Sequence, residues 1–218
     1  RNLFEHMLRD PACGLVILDF SGYKGNIGVS SEIDRYVKKL KARGSKVVAY
    51  MDDIRPAVLL ASAHVDRIAV EPSAHMNWRG LGGNILFYKG LFDKLGVKAE
   101  FLRHGAYKSA VEPYVADSMS KEARDNFDTL YHDLWTALQT YISMRGVGSQ
   151  MSSAKAYKHL DSLAGEPLVT ASAAKRAGLV DTLLYLDQVP SYALKTFFDI
   201  DYPNAAYRTW TPTGKKIF

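Results

Sequence analysis

Gly14-Leu15-Val16-Ile17-Leu18-Asp19-Phe20 is an apolar run interrupted by one acid, and its reading decides the fold. It is too short for a helix and carries no polar alternation, so it predicts a strand buried on both faces, as in a parallel sheet. Residues 29–43 follow with Ile33, Tyr36, Val37 and Leu40 at helical spacing, and Gly44 is placed to stop that helix. Lys46-Val47-Val48-Ala49-Tyr50-Met51 predicts a second strand, Pro56 can open a helix running to residue 64, and residues 67–70 predict a third strand that Pro72 ends. Strand and helix alternate. That order predicts the α/β class, with a mainly parallel central sheet flanked by helices.

The pattern continues through a turn at Leu81-Gly82-Gly83, a helix over residues 85–95 and a fourth strand over residues 98–103. Gly105 and Lys108 come just beyond that strand, and ligand crevices form past the carboxyl ends of parallel strands. Ser120 is a helix cap, opening a long helix with Phe127, Leu130, Leu134, Leu138, Tyr141 and Ile142 on one face, expected to pack across the sheet. Shorter helices over residues 152–163, 168–178 and 187–198 form a C-terminal helical extension. Residues 199–218, with Pro203 and Pro212, read as an extended connector, so the division is a main domain over 1–198 and a connector over 199–218.

With 218 residues, 47% hydrophobic and 23% charged, the chain has the composition of a globular protein rather than a disordered one. Its net charge of +5 suits the neighbourhood of an anionic membrane surface, although ordinary solvated lysines are the commoner reason for such a charge. The lysines are scattered without an aromatic-basic module, which argues against nucleic-acid binding. No apolar run approaches the roughly 20 residues of a membrane span, so any membrane anchor is expected outside this chain. The charged start and the absence of an initiator Met suggest an excised piece of a longer protein. Cys13 is the sole cysteine and the six histidines show no zinc-binding spacing, so neither a disulfide, a metal nor a cofactor is expected. Leu81-Gly82-Gly83-Asn84 lacks the spacing of a phosphate-binding loop.

The chemistry concentrates in Gly105-Ala106-Tyr107-Lys108-Ser109-Ala110-Val111-Glu112-Pro113-Tyr114. A lysine among small and apolar residues can lose its proton when desolvated, and a neutral amine can accept a proton from a serine hydroxyl. From the residues alone, a surface lysine paired with Glu112 is the commoner outcome.

The tract 107–113 resembles the lysine motif of the signal peptide peptidase A family, serine/lysine peptidases on a ClpP/crotonase-like fold. Asp66-Arg67-Ile68, residues 87–97 and Met119-Ser120 recur in the same order, and the resemblance covers residues 14–184. It implies Lys108 as general base, with Gly82, Gly83, Tyr107, Ser109 and Glu112 binding substrate or shaping the site. In short members of that family the serine opens the helix that here begins near Pro56. The matching stretch here, Asp53-Ile54-Arg55-Pro56-Ala57-Val58, holds neither a serine nor a Gly-Gly pair. Pro56 has no hydroxyl, and no backbone N–H to direct at an oxyanion.

Long members divide the work between an N-terminal half with the lysine and a C-terminal half with the serine. This chain resembles the former, which implies a serine-bearing second domain, apolar signal-peptide substrates and a homo-oligomer. The implied location is the bacterial inner membrane, with the catalytic domain on the periplasmic side. Among the serines present, Ser62 is expected inside a helix bonded to a carbonyl, Ser109 as a helix cap, and Ser21 in a turn. Two alternatives are a non-catalytic assembly domain and a crotonase-type acyl-CoA lyase or isomerase, which would share the fold.

Overall fold

β1 (Leu15–Asp19), β2 (Lys46–Met51) and β3 (Arg67–Val70) form where the apolar runs predict them and pair in parallel, in that order. β6 (Thr182–Leu183) completes the sheet, parallel to β3. The computed structural model describes residues 2–76, 83–102, 104–105, 107–144, 168–201, 209–210 and 216–217. The chain divides into two units, 1–79 with 138–218, and 80–137.

The first unit is built around β2. Val47, Val48, Ala49 and Met51 are fully buried and Tyr50 nearly so, because the strand is covered on both faces and paired on both edges. Val48 and Tyr50 join Ala69, Val189 and Ala193 in one cluster, against which Leu15, Ile17, Leu184 and Phe197 pack. This places α8 (Val189–Phe198) on one face of the sheet. Alternation along the strand turns Val47, Ala49 and Met51 to the other face, where α2 (Ile27–Ala42) lies against β2 and packs on α3 (Pro56–Ala61).

Local chemistry sets the ends of these helices. Asn26 accepts from the Val29 amide at 3.0 Å, so α2 starts two residues earlier than its apolar spacing suggests. Gly44 adopts φ +96° just past the end of α2, the left-handed conformation that glycine takes without strain. Pro56 opens α3 as expected, but the helix ends at Ala61 and residues 62–64 form a turn. His64, at that turn, reaches the buried Asp34 carboxylate of α2 at 2.8 Å, and Lys38 approaches the other Asp34 oxygen at 3.3 Å. Arg43 ties α1 (Asn2–Arg9) down, its guanidinium donating to the carbonyls of Met7 and Leu8 at 2.8 and 2.6 Å. Phe4 stacks on Tyr36 at 5.0 Å, and the Tyr36 hydroxyl donates to Glu5.

Two aspartates set the strand register. Asp66, just before β3, donates its backbone N–H to the Val47 carbonyl and accepts the Val47 N–H on its carboxylate, both at 2.8 Å. Asp181, just before β6, does the same to Ile68, at 3.0 Å from its amide and 2.6 Å to its carboxylate. Each bracket fixes the incoming strand against its neighbour before the ladder begins.

The expected strand over residues 98–103 is absent: residues 98–102 adopt no regular element, and Arg103 lies outside the described residues. Lys98 pairs with Glu100, Phe101 and Leu102 are exposed, and among the described residues no strand pairs with this stretch. The sheet takes β6 as its fourth member instead. The helix expected over 85–95 is shorter, α4 (Lys89–Leu95), and the helix over 152–163 lies outside the described residues. Residues 168–178 hold β5 (Val169–Thr170) and α7 (Ala171–Arg176), and β5 pairs antiparallel with β4 (His75–Met76). In the expected connector, the described residues form two short antiparallel strands, β7 (Thr209–Trp210) and β8 (Lys216–Ile217).

Two outcomes test this account. Asp181→Ala leaves the buried Ile68 amide without its acceptor, so urea denaturation is expected to show a loss of about 1–3 kcal/mol with an unchanged m-value. Burial, reinforced by the Glu71, Asp19 and Asp52 carboxylates, pushes the Tyr50 phenol above its ordinary value. The native state therefore holds this proton more tightly than the unfolded chain. The stability it contributes is fully present below about pH 10 and falls as pH rises through the folded value. Denaturant titrations from pH 9 to 11.5 are expected to fall more steeply for the native protein than for Tyr50→Phe.

Candidate active site

Two places carry the sequence expectations, and they belong to different units. The first is the turn after β2. Asp52 accepts the Gly22 amide on both carboxylate oxygens, at 3.3 and 3.2 Å, and Asp53 pairs with Arg55 at 3.1 Å. Arg55 then holds the cap position of α3, and its carbonyl accepts from Val58 and Leu59, both at 3.0 Å. Pro56 is the first helical residue, where the missing N–H costs nothing to the helix. The turn is well formed and supplies no hydroxyl. Ser21 sits in a turn as expected, its amide donating to Asp19 at 2.8 Å. Ser62 is fully buried at the end of α3 and closed to any substrate.

The second place is the unit over residues 80–137. Lys108 holds the cap position of a short 3-10 turn, Ser109–Val111, which runs directly into α5 (Glu112–Val115). Ser109 does not serve as the expected cap: it is the first residue of the turn, and no side chain there makes a cap hydrogen bond. Each of the next three residues is anchored. Glu112 is 5% exposed and accepts on its carboxylate from the Ser120 amide at 3.0 Å and the Ser120 hydroxyl at 2.6 Å. The Pro113 carbonyl accepts from the Tyr88 amide at 2.6 Å. The Tyr114 ring meets Tyr88, Phe92 and Phe101 at centroid separations of 5.9, 6.3 and 5.7 Å.

Ser120 does cap α6 (Lys121–Met144) as its position predicts, accepting from the Ala123 amide at 3.2 Å. The Tyr114 cluster was missed by sequence reasoning. Tyr88 and Phe92 at i, i+4 on α4 were its only advance sign.

Lys108 itself is exposed and lines an open depression of about 420 Å³ with Leu102, His104, Tyr107 and residues 109–111. Among the described residues it has no ion-pair partner, and the pairing with Glu112 does not form because Ser120 occupies that carboxylate. Lys89 makes the contrast plain. Its hydrogen bond to Asp93 at 2.6 Å, then the charge of Asp117, hold that ammonium above the ordinary lysine range. Lys89 is therefore held in the cationic form.

Among the described residues no closed crevice forms around the lysine. Tyr107 is two-thirds exposed beside Lys108 in the same depression. Gly83 lies against α6, where an added Cβ would come within 2.6 Å of the Tyr131 hydroxyl, and Gly82 is outside the described residues. Among the described residues no group of three His, Cys, Asp or Glu side chains is arranged to hold a metal ion.

Comparison with known proteins points one way. Residues 39–196 match the family described as Peptidase family S49. Protease 4 of Salmonella typhi is 29% identical over 184 residues, covering 84% of this chain and 30% of its own length. Protease 4 of Haemophilus influenzae is 28% identical over 183 residues, 82% of this chain and 29% of its own. The chloroplastic serine protease SPPA of Arabidopsis thaliana is 23% identical over 180 residues, 83% of this chain and 26% of its own. The chain thus spans less than a third of the length of each of these relatives.

Proposed function

The chain belongs to peptidase family S49, and on that footing we propose that it is the lysine-bearing part of a serine/lysine endopeptidase. Lys108 accepts the proton of a serine hydroxyl contributed by another domain, and the serine oxygen attacks the peptide carbonyl. The lysine then returns the proton to the departing amine, and water releases the acyl group by the same route. The observation that carries this reading is an amine held on a firmly anchored turn, with no ion-pair partner among the described residues, in a chain whose helix-opening position at Pro56 has no hydroxyl. Only the neutral amine can act as a base, and closure of the second domain over the depression would favour it by excluding water.

Leu102 and Tyr107 flank the lysine with exposed apolar surface, which suits an extended apolar peptide. Released signal peptides are such substrates, and main-chain hydrogen bonding along a strand edge would hold them with little sequence demand. The proposed setting is a homo-oligomer at the bacterial inner membrane, with catalysis on the periplasmic side. Among the described residues no helix is long and apolar enough to cross a membrane, so the anchor of this proposal lies elsewhere in the protein.

In the full-length protein, Lys108→Ala is expected to lower kcat on apolar peptides by on the order of 10³-fold with an unchanged circular dichroism spectrum. Lys108→Arg is expected to fail equally, since a guanidinium stays charged. Retained turnover in either variant would assign this domain to assembly alone. A fluorophosphonate probe is expected to label a serine outside residues 1–218; a labelled peptide from within them would overturn the division of labour.

A further inference from the structure

Three residues in a row after the lysine turn are bound to other elements of the same unit, and two of those bonds lead to the start of α6. The 3-10 turn that Lys108 opens passes into α5 without a break. Glu112, four residues after Lys108, is therefore separated from it by a single rigid turn. Its carboxylate is nearly removed from solvent and takes both the amide and the hydroxyl of Ser120. The same hydroxyl oxygen accepts from the Ala123 amide in the first turn of α6. The hydrogen-bond chain runs from Ala123 through Ser120 to Glu112, and from there through the backbone to Lys108.

From this arrangement we infer that Glu112 and Ser120 form a latch whose function is to position Lys108 for proton transfer. Neither residue touches the reacting atoms; both are positioning residues. The inference rests on Lys108 being the base, and it adds what holds that base in place. A charge-assisted pair shielded from water is worth more than an exposed one, and it is directional. Losing it removes the tie to α6, while the Pro113 carbonyl and the Tyr114 ring still hold α5 to Tyr88, Phe92 and Phe101. The turn then keeps its place but loses its orientation, and a displacement of about 1 Å at a catalytic group costs on the order of 10²-fold in rate.

The test uses the full-length protein and a fluorogenic apolar peptide. Glu112→Ala and Ser120→Ala are each expected to lower kcat about 10- to 100-fold with KM within about twofold, the mark of an interaction felt in the transition state. The double variant is expected to be no slower than the worse single one, because both break one unit. Ser120→Thr keeps the amide and a hydroxyl, and is expected to restore kcat to within about threefold of the native value. Amide exchange over residues 107–111 is expected to quicken in Ser120→Ala, whatever happens to turnover.

Should Glu112→Ala fail to fold, Ser120→Ala removes one hydroxyl only and carries the test alone. A folded Ser120→Ala with native kcat and native exchange over 107–111 overturns the latch while leaving Lys108 as base. Full activity in Lys108→Ala overturns the catalytic reading instead, and the exchange measurement then reports the latch separately.

Discussion

The architecture of the first unit depends on burying β2 on both faces and both edges at once. Val47 to Met51 lose essentially all contact with water, so the backbone groups of the strand have to find partners in β1, β3 or the residues that flank them. Parallel pairing meets that demand only if each crossover carries the chain back to the same end of the sheet, which is the role of α2 and α3. Apolar burial supplies the drive; the need to satisfy buried amides dictates the geometry it takes.

The unit that carries Lys108 obeys a different logic. Much of its apolar surface, including Leu86, Leu91, Leu95, Leu102 and Tyr107, stays exposed, and order comes from a small number of polar and ring contacts around α5. Two of its lysines show how context separates chemically identical groups. Lys89 is surrounded by carboxylates, and Lys108 is left facing open space. A salt bridge such as that of Lys89 holds an amine in its protonated form.

What could be read from the chain follows from how local each cause is. β1, β2 and β3 were legible because an unbroken apolar run has few other fates in a folded protein. Residues 98–103 misled because alternation describes a face that could be half-buried and says nothing of whether another strand lies alongside. β4, β5 and β6, with two residues each, leave no periodicity to detect and exist only through their partners. At the candidate site, resemblance located Lys108, and the capping role of Ser120 followed from its place before an amphipathic helix. The attachment of Tyr114 to Tyr88 and Phe92 spans more than twenty residues, and only the spacing of those two rings hinted at it.

The aspartate brackets also bear on the order in which the molecule is made. Asp66 closes on Val47 only 19 residues away, so the first three strands can dock in sequence while the polypeptide is still leaving the ribosome. Ile68 waits for Asp181 across 113 residues. At about 5–20 residues per second, that interval lasts on the order of ten seconds, during which the outer edge of β3 has no strand beside it. The nascent chain thus passes through a period of sticky, half-built sheet, and this is the interval in which chaperone protection would matter most.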